Sequence, residues 1–226
     1  MKTILVAGAN SGIGRALIDK LLTNHRVIAL SRNPLDLNHP NLVYHTYDAL
    51  SEADTLPELE QLDGVVYCPG SITLKPFHRL KKEEFQSDWE LNFMGAVRVL
   101  QQAYPVLRQS SHASVVLFST VAVQKGMAFH ASISAAKAAI EGLTRSLAAE
   151  WAPQIRVNAI APSLTETPLA SGLLNTEAKA QASAERHPLK RIGKPEEIAA
   201  MAAFLLGDEA SWMTGQVVHL DGGLSM

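Results

Sequence analysis

The sequence contains little cysteine, no long apolar run and no marked excess of charge. Cys68 is the only cysteine, so no internal disulfide can form and a reducing compartment is expected. No apolar run reaches the roughly 18 residues that a membrane span needs. The formal net charge is −2, with no basic stripe typical of nucleic-acid or membrane-surface binding. The strand-like N-terminus lacks the apolar core of a signal peptide. We therefore expect a cytoplasmic protein that binds neither nucleic acid nor membranes.

Other absences narrow the possible chemistry. No set of His, Cys and Asp residues has metal-ligand spacing, so no metal site is predicted. The G-x-S-x-G motif of serine hydrolases is missing. There is no internal repeat, low-complexity tract or linker. A chain of 226 residues that is 47% hydrophobic therefore fits a single domain over residues 1–226.

The chain alternates strand-like and helix-like segments. Most strand-like segments are continuous apolar runs, which is typical of a parallel sheet covered on both faces. Their alternation with helices predicts an α/β fold with a doubly wound sheet. The predicted strands are 3–6, 26–30, 42–46, 64–67, 114–118, 155–160 and 216–220, and the predicted helices are 13–23, 84–107, 132–151 and 195–206.

Two connections differ from this pattern. Residues 33–41 are too few, and too interrupted by proline, to form a full crossover helix between the second and third predicted strands. Residues 164–191 are polar to mildly apolar and rich in turn residues. We predict that this second segment forms a mobile flap.

A glycine-rich turn lies near the start of the chain, where residues 7–14 read A-G-A-N-S-G-I-G between a strand-like and a helix-like segment. Glycines let the backbone turn sharply and approach a ligand closely. The start of the following helix offers free N–H groups and the positive end of its dipole to a pyrophosphate. This order predicts a dinucleotide site. Its predicted contacts are Gly8, Asn10, Ser11, Gly12, Ile13 and Gly14.

The end of the second predicted strand indicates which dinucleotide binds. In such folds an acidic residue about 20 positions after the glycines binds the ribose 2′-hydroxyl and selects NAD. Here the strand ends in Ser31 and Arg32, whose hydroxyl and guanidinium suit a 2′-phosphate. Arg15, in the first helical turn, is a further candidate. These residues favour NADP over NAD; Asp36, beyond a proline, is the alternative acid.

Four motifs together resemble the short-chain dehydrogenase/reductase family over residues 3–223. They are A-G-A-N-S-G-I-G, Asn92 in E-L-N-F-M-G, V-N-A-I-A-P at 157–162, and T-G-Q-V-V-H-L-D-G-G near the C-terminus. The resemblance implies a Rossmann-type sheet of about seven strands with helices on both faces. It also implies hydride transfer between a nicotinamide dinucleotide and a carbonyl or alcohol carbon of a small molecule. A homodimer or homotetramer is implied as well.

The same resemblance implies further cofactor contacts after the third, fourth and sixth strands. The family usually carries N-N-A-G after the fourth strand, where this chain has Y-C-P-G. Cys68 in that motif is more consistent with a buried small residue than with a nucleophile, because nothing nearby in sequence would activate it. The implied contacts are Asp48, Gly70, Pro162, Thr165 and Thr167.

The catalytic residues implied by the resemblance are incomplete. In the family a lysine follows a catalytic tyrosine by four residues, on the same helical face. With Lys137 as the anchor, Asn92 matches the family asparagine and Thr120 falls at the serine position. Ile133 falls at the tyrosine position, and no tyrosine follows Tyr104. Isoleucine cannot exchange a proton. In the family the lysine also binds the ribose hydroxyls of the cofactor, so the resemblance implies a cofactor contact for Lys137 as well.

Three hypotheses accommodate this gap. Another group supplies the proton, with His130 as the first candidate because histidine titrates near neutral pH, and Ser134 as a poorer one. Alternatively, the protein binds NADP as an impaired regulatory or partner subunit. Finally, the reaction uses an activated substrate for which hydride positioning matters more than proton transfer. We predict an oxidoreductase and keep the impaired subunit as the alternative.

Overall fold

A parallel sheet of seven strands lies at the centre of the computed structural model, which describes residues 1–226. The strands are β1 (Thr3–Ala7), β2 (Arg26–Ser31), β3 (Leu42–Thr46), β4 (Gly64–Tyr67), β5 (Ala113–Phe118), β6 (Ile155–Pro162) and β7 (Val217–Leu220). Their order across the sheet is β3-β2-β1-β4-β5-β6-β7. The seven strands lie at the positions that the apolar runs predicted, within two residues at either end.

Seven α-helices connect the strands. They are α1 (Gly12–Leu21), α2 (Lys82–Trp89), α3 (Gly95–Leu107), α4 (Val121–Lys125), α5 (Ala131–Trp151), α6 (Glu177–Glu185) and α7 (Pro195–Leu206). A π-helical turn (Glu90–Met94) joins α2 to α3. Short 3₁₀ turns lie at Phe77–Arg79, Pro168–Leu173 and Asp208–Ala210. None of these helices combines the length and the apolar character that a bilayer span requires.

The helices cover the sheet from both sides. Helices α1 and α7 pack on one face, where Leu17 and Ile198 join Val6 of β1 in one apolar cluster. Helices α3 and α5 contribute to the cluster on the other face, which includes Leu5 and Ile140. Strand β1 is therefore buried on both faces, which explains its continuous apolar run. The prediction of a doubly wound α/β sheet is confirmed.

Two helices lie where none was predicted. Helix α4 is short, and α6 lies inside the segment predicted as a flap. Helix α6 has almost no apolar face, but Thr176 caps its N-terminus by accepting a hydrogen bond from the Lys179 amide at 3.3 Å. Capping and local propensity therefore set this helix, and both signals are weak in a sequence. As predicted, residues 33–41 form no helix.

The strand order positions the site. Strand β1 pairs with β2 on one side and with β4 on the other. The connections from β1 and from β4 therefore run in opposite directions, and a crevice opens at the carboxyl ends of these strands. Ligands of open α/β sheets bind in this kind of crevice. Two adjoining cavities lie at this edge.

Candidate active site

The glycine-rich turn has a backbone that only glycine accommodates. Gly8 and Gly12 have φ angles of +77° and +54°. A Cβ on Gly14 would lie 2.2 Å from the carbonyl oxygen of Gly8, so a side chain there would force the turn open. The turn is anchored to the sheet by the Gly8 amide, which donates to the Leu30 carbonyl at 2.9 Å.

The N-terminus of α1 faces the cavity that this turn encloses, which we call the glycine cleft. Ser11 precedes the helix in an extended conformation, without a side-chain capping bond, and no acidic residue lies in the first turn. The first helical N–H groups are thus available to an anion. The cleft has a volume of about 310 Å³. The predicted cofactor residues that line it are Gly8, Asn10, Ser11, Gly12, Ile13, Gly14, Ser31, Arg32, Asp48, Gly70 and Thr167.

The three predicted phosphate ligands differ in their surroundings. Arg32 is exposed on the wall of the cleft and forms no ion pair. The Ser31 hydroxyl donates to the Asn33 carbonyl at 2.6 Å, so it holds the turn after β2. Arg15 lies outside the cleft lining, and its Nε is 3.2 Å from a carboxylate oxygen of Asp19. Of the two arginines, therefore, only Arg32 lies on the wall of the cleft.

Asp48 lines the cleft and is held by its own turn. Its Oδ1 accepts a hydrogen bond from the Leu50 amide at 3.0 Å. Its amide donates to Asp54 Oδ2 at 2.7 Å, and this bond, with a second from Ser51, lowers the pKa of Asp54. The rival acid Asp36 is exposed and does not line the cleft.

A second cavity adjoins the glycine cleft, and we call it the lysine cavity. It has a volume of about 780 Å³ and shares wall residues with the cleft, among them Ile13, Gly70 and Thr167. All four predicted catalytic residues line it, and so do Ile133 and two predicted cofactor residues that do not line the glycine cleft. These residues are Asn92, Thr120, His130, Lys137, Ile133, Pro162 and Thr165.

Lys137 is the one buried lysine of the structure. Burial lowers the pKa of its ammonium group to about 8, against the opposing effect of Cys68 and Asp88. Ile133 lies one helical turn earlier on α5 and is 4% exposed. The i, i+4 spacing brings both side chains to the same cavity, as the sequence predicted.

Asn92 is held by a network that the sequence analysis missed. It lies in the π-helical turn and is fully buried. Its side-chain amide donates to the Asp88 carbonyl at 2.8 Å and to Ser71 Oγ at 3.0 Å. The Ser71 hydroxyl in turn donates to Asp88 Oδ1 at 2.7 Å. The other carboxylate oxygen of this buried aspartate has no partner. The spacing of four residues between Asp88 and Asn92 is the signal that could have predicted this contact.

The hydroxyls at the end of β5 point to different partners. Thr120 caps α4 by accepting a hydrogen bond from the Ala122 amide at 3.3 Å, and it lines the lysine cavity. The neighbouring Ser119 donates to Glu141 Oε1 at 2.7 Å. The Thr120 hydroxyl therefore keeps its proton for a partner in the cavity, whereas the proton of Ser119 is already donated.

His130 lies at the mouth of the lysine cavity. Helix α5 begins at Ala131, so His130 precedes the helix and does not stand two turns along its face. Its Nδ1 is 2.8 Å from the Ala128 carbonyl oxygen. Ser134, the other candidate proton donor, does not line the cavity. Burial raises the pKa of the Cys68 thiol to about 12, which makes it a poor nucleophile.

A serine–histidine pair closes the other side of the lysine cavity, and the sequence analysis did not find it. Ser163 directly follows β6, and its Oγ is 2.7 Å from Nε2 of His187. Nδ1 of the same ring is 2.8 Å from the Ser183 carbonyl oxygen. Both members of the pair line the cavity. They are 24 residues apart, and their pairing depends on how residues 164–191 fold over β6.

Comparisons with known proteins agree with this architecture. Residues 34–225 match the family described as enoyl-(acyl carrier protein) reductase. A tropinone reductase homologue of Arabidopsis thaliana is 32% identical over 244 residues, covering 100% of this chain and 91% of that protein. The L-xylulose reductase of Bos taurus is 30% identical over 230 residues, covering 97% of this chain and 94% of that protein.

A solved structure also superposes over the whole chain. It is a short-chain dehydrogenase/reductase from Brucella melitensis, with a TM-score of 0.91, 29% sequence identity, and coverage of 100% of this chain and 97% of that one. The family match, the relatives and the sheet order agree with one another. The chain therefore belongs to the short-chain dehydrogenase/reductase family of NAD(P)-dependent oxidoreductases.

Proposed function

We propose that this protein uses NADP to transfer hydride to or from the carbonyl or alcohol carbon of a small molecule. The observation that carries the proposal is the shared wall between the glycine cleft and the lysine cavity. A dinucleotide bound in the cleft would extend its nicotinamide into the cavity that contains the predicted catalytic residues. When bound, the dinucleotide supplies or accepts the hydride.

The preference for NADP rests on the end of β2. Arg32 lies on the cleft wall without an ion pair, and no acidic side chain follows it at the strand end. A guanidinium recognises a 2′-phosphate by paired, charge-assisted hydrogen bonds. A carboxylate at this place would instead repel the phosphate. Arg15 contributes less, because Asp19 already pairs with it.

Three residues of the lysine cavity would act on the reactants. Lys137 binds the ribose hydroxyls, and its charge stabilises negative charge that develops on a substrate oxygen. Thr120 donates its hydroxyl proton in a hydrogen bond to that oxygen. Asn92 holds the cavity wall through Ser71 and orders the polar groups beside Lys137. These roles position the substrate for hydride transfer.

One of the residues that transfer a proton to the substrate in this family is missing from the proposed site. Ile133 stands where the family has its tyrosine, and its side chain has no proton to exchange. General acid–base catalysis contributes about 10²–10⁴-fold. Positioning beside the hydride donor contributes a comparable or larger factor. A cavity that keeps Lys137, Thr120 and Asn92 therefore supports turnover at a reduced rate.

A second candidate is an NADP-binding regulatory or partner subunit with impaired catalysis. Ile133 favours it, because a buried apolar side chain occupies the acid–base position. Apart from this position, the family's catalytic asparagine and lysine are kept and threonine replaces the serine, so the oxidoreductase is the better supported of the two.

We also propose a cytoplasmic homodimer or homotetramer built from a single domain with a flap at residues 164–191. The exposed apolar side chains of Phe204 and Trp212 support self-association through the C-terminal region. Light scattering of the purified protein tests the oligomeric state, and limited proteolysis tests the flap.

The deciding experiment compares wild type with Ile133→Tyr and Ile133→Phe. NADPH binding is first measured by fluorescence, and NADPH oxidation is then followed with a panel of aldehydes, ketones and quinones. We expect wild-type turnover and a gain in kcat of up to about 10²-fold for the tyrosine variant, with the full gain only where no other group already supplies the proton. The phenylalanine variant adds the same ring without the hydroxyl, so it should show no gain.

The other outcomes are equally informative. A silent wild type with an active tyrosine variant supports the impaired subunit. Equal rates in all three proteins show that the tyrosine is dispensable here. Failure to bind NADPH overturns the proposal.

A further inference from the structure

The fold fixes Ser163 on three sides. It directly follows β6 at the carboxyl edge of the sheet. Its amide donates to the Leu220 carbonyl at 3.4 Å, and its own carbonyl accepts from Thr165 Oγ1 at 3.0 Å. Its hydroxyl lies 2.7 Å from His187 Nε2. Little freedom remains for this side chain, and the residue lines the lysine cavity.

The neighbours of His187 define its tautomer. Its Nδ1 lies 2.8 Å from the Ser183 carbonyl oxygen, which can only accept a hydrogen bond. Nδ1 therefore carries a proton, and Nε2 of the neutral ring is an acceptor. It follows that the Ser163 hydroxyl donates to Nε2. In the protonated ring the direction reverses, and Nε2–H donates to the serine oxygen.

The ring is also firmly placed. His187 is 3% exposed, and its backbone amide donates to the Ala184 carbonyl at 3.0 Å. Yet the residue lines the same cavity as Lys137 and Thr120. A titratable side chain that is buried, fixed in one tautomer and adjacent to a substrate cavity has the features of a general acid–base.

The other candidate proton donors lack this arrangement. The Thr120 hydroxyl has no base behind it, because its contact is the Ala122 amide. The His130 ring has one hydrogen-bond partner, the Ala128 carbonyl of its own loop. Ser134 does not line the cavity. Only Ser163 combines a hydroxyl in the cavity with an imidazole that can exchange its proton.

We propose that Ser163 and His187 form the proton relay of this enzyme, in place of the tyrosine that Ile133 replaces. The proposal rests on the proposed function, since NADPH must supply the hydride. Addition of hydride to a carbonyl carbon leaves an electron pair and a negative charge on the oxygen. Ser163 Oγ–H gives its proton to that oxygen, and protonated His187 returns one from Nε2 to the serine. The neutral ring then regains a proton from bulk solvent, which supplies the one H⁺ that carbonyl reduction by NADPH consumes. Alcohol oxidation follows the same path in reverse.

A structural role is the competing explanation, because the pair also ties residues 164–191 to the end of β6. The two roles make different predictions. A structural anchor would change KM and stability when it is lost, whereas a relay would change kcat. Two residues that act as one unit also show a double variant no worse than the single ones.

The test uses Ser163→Ala, Ser163→Thr, His187→Gln and the double variant Ser163→Ala/His187→Gln. Activity is measured with NADPH and the best carbonyl substrate of the wild type. We expect Ser163→Ala and His187→Gln to lower kcat about 10²-fold, with the affinity for NADPH and the urea midpoint close to wild type. Ser163→Thr keeps the hydroxyl and should recover most of the rate. His112→Gln, an exposed histidine before β5, is the matched control and should remain fully active.

A second measurement does not depend on activity. NMR of ¹⁵N-histidine-labelled protein without cofactor should show the Nδ1–H tautomer for His187, assigned by its loss in His187→Gln. Its Nε2 resonance should shift in Ser163→Ala and stay in place in His112→Gln. This readout tests the pair even where a variant lowers turnover through a change in stability.

Distinct outcomes overturn the relay and the proposed function. If the wild type oxidises NADPH and the kcat of Ser163→Ala and His187→Gln stays within threefold of the wild-type value, the relay is overturned and the proposed function stands. The relay is also overturned if His187 has the Nε2–H tautomer, or if its Nε2 resonance does not shift in Ser163→Ala. A wild type without turnover overturns both proposals. If His187→Gln does not fold, the contrast between Ser163→Ala and Ser163→Thr decides the question.

Discussion

The glycine cleft and the lysine cavity meet at one edge of the sheet but are built from different parts of the chain. One short segment, residues 8–14, contributes six lining residues to the cleft, and most of the others come from the ends of β2, β3 and β4 and from residues 167–169. The lining of the cavity comes from the ends of β4, β5 and β6, from α5, and from residues 125–130 and 164–191. One local motif therefore contributes more of the cleft than any other segment, whereas the cavity is assembled from distant segments.

The two cavities also differ in electrostatics. The glycine cleft is lined by the exposed guanidinium of Arg32 and by Asp48, beside the positive end of the α1 dipole. The lysine cavity has the exposed cations Lys125, Lys179 and Arg186 in its lining, and also the buried ammonium group of Lys137, whose pKa burial lowers to about 8. Solvent screens the exposed charges and hardly screens Lys137. Changes in the cavity should therefore have larger electrostatic effects than changes at the cleft rim.

The largest effect is expected from Gly14→Ala, which tests the backbone construction of the cleft. The new methyl group would lie 2.2 Å from the Gly8 carbonyl oxygen. We expect about 3 kcal/mol less stability and more than 100-fold weaker NADPH binding, measured by urea unfolding and fluorescence titration. The matched control is Gly142→Ala on α5, where a Cβ meets nothing within 4 Å. That substitution should stabilise the helix by about 0.5–1 kcal/mol. Unchanged NADPH binding in Gly14→Ala would contradict the prediction.

Lys137→Met tests the buried charge of the cavity. Burial lowers the lysine pKa from 10.5 to about 8, so between these values the unfolded chain binds a proton that the folded chain does not. The free energy of unfolding contributed by Lys137 therefore rises with pH between about 8 and 10.5. Below pH 8 the folded protein bears the full cost of burying the charged ammonium group. We expect wild type to gain up to about 3 kcal/mol relative to Lys137→Met across the window.

Urea unfolding of both proteins at pH 7.5, 8.5 and 9.5 measures this gain. Lys20→Met, at an exposed position of α1, is the control and should keep a constant difference from wild type. Parallel stability curves for wild type and Lys137→Met would contradict the prediction.

The smallest effect is expected at the rim of the glycine cleft. Arg32→Ala should weaken NADPH binding about tenfold, because one charge-assisted contact with the 2′-phosphate is lost. Binding of NADH should stay the same. Arg15→Ala should change NADPH binding less than threefold, since Asp19 already pairs with this arginine. Titrations with both dinucleotides measure this, and a larger effect of Arg15 than of Arg32 would reverse the assignment.

The features that could be predicted from the sequence are those set by residues close together in the chain. Apolar runs predicted the seven strands, and the glycine spacing predicted the turn in which Gly8 has a positive φ. The i, i+4 spacing also placed Ile133 and Lys137 at one cavity. Each of these features depends on neighbours within a few residues, which is the range over which periodicity and turn chemistry carry information.

The sequence was insufficient for pairs made across the fold. The contact of Asn92 with Ser71 spans 21 residues, and that of Ser163 with His187 spans 24. Neither pair has a repeating pattern, and both depend on where loops return over the sheet. The hydrogen bond of the Ser31 hydroxyl with Asn33 shows the same limit at short range, because a side chain expected to face a phosphate instead holds its turn.

The π-helical turn at Glu90–Met94 has a consequence for how this chain tolerates changes in length. A π-helical turn contains one residue more than an α-helical turn, so the segment can lose a residue and relax into a regular α-helix. Such a deletion would leave α2 and α3 in nearly the same register, because the wider turn already accommodates the extra residue. A deletion between Asp88 and Asn92 would instead shorten their spacing from four residues to three, and the bonds of Asn92 to the Asp88 carbonyl and to Ser71 would be lost. Here the number of residues, and not only their identity, is part of the active site.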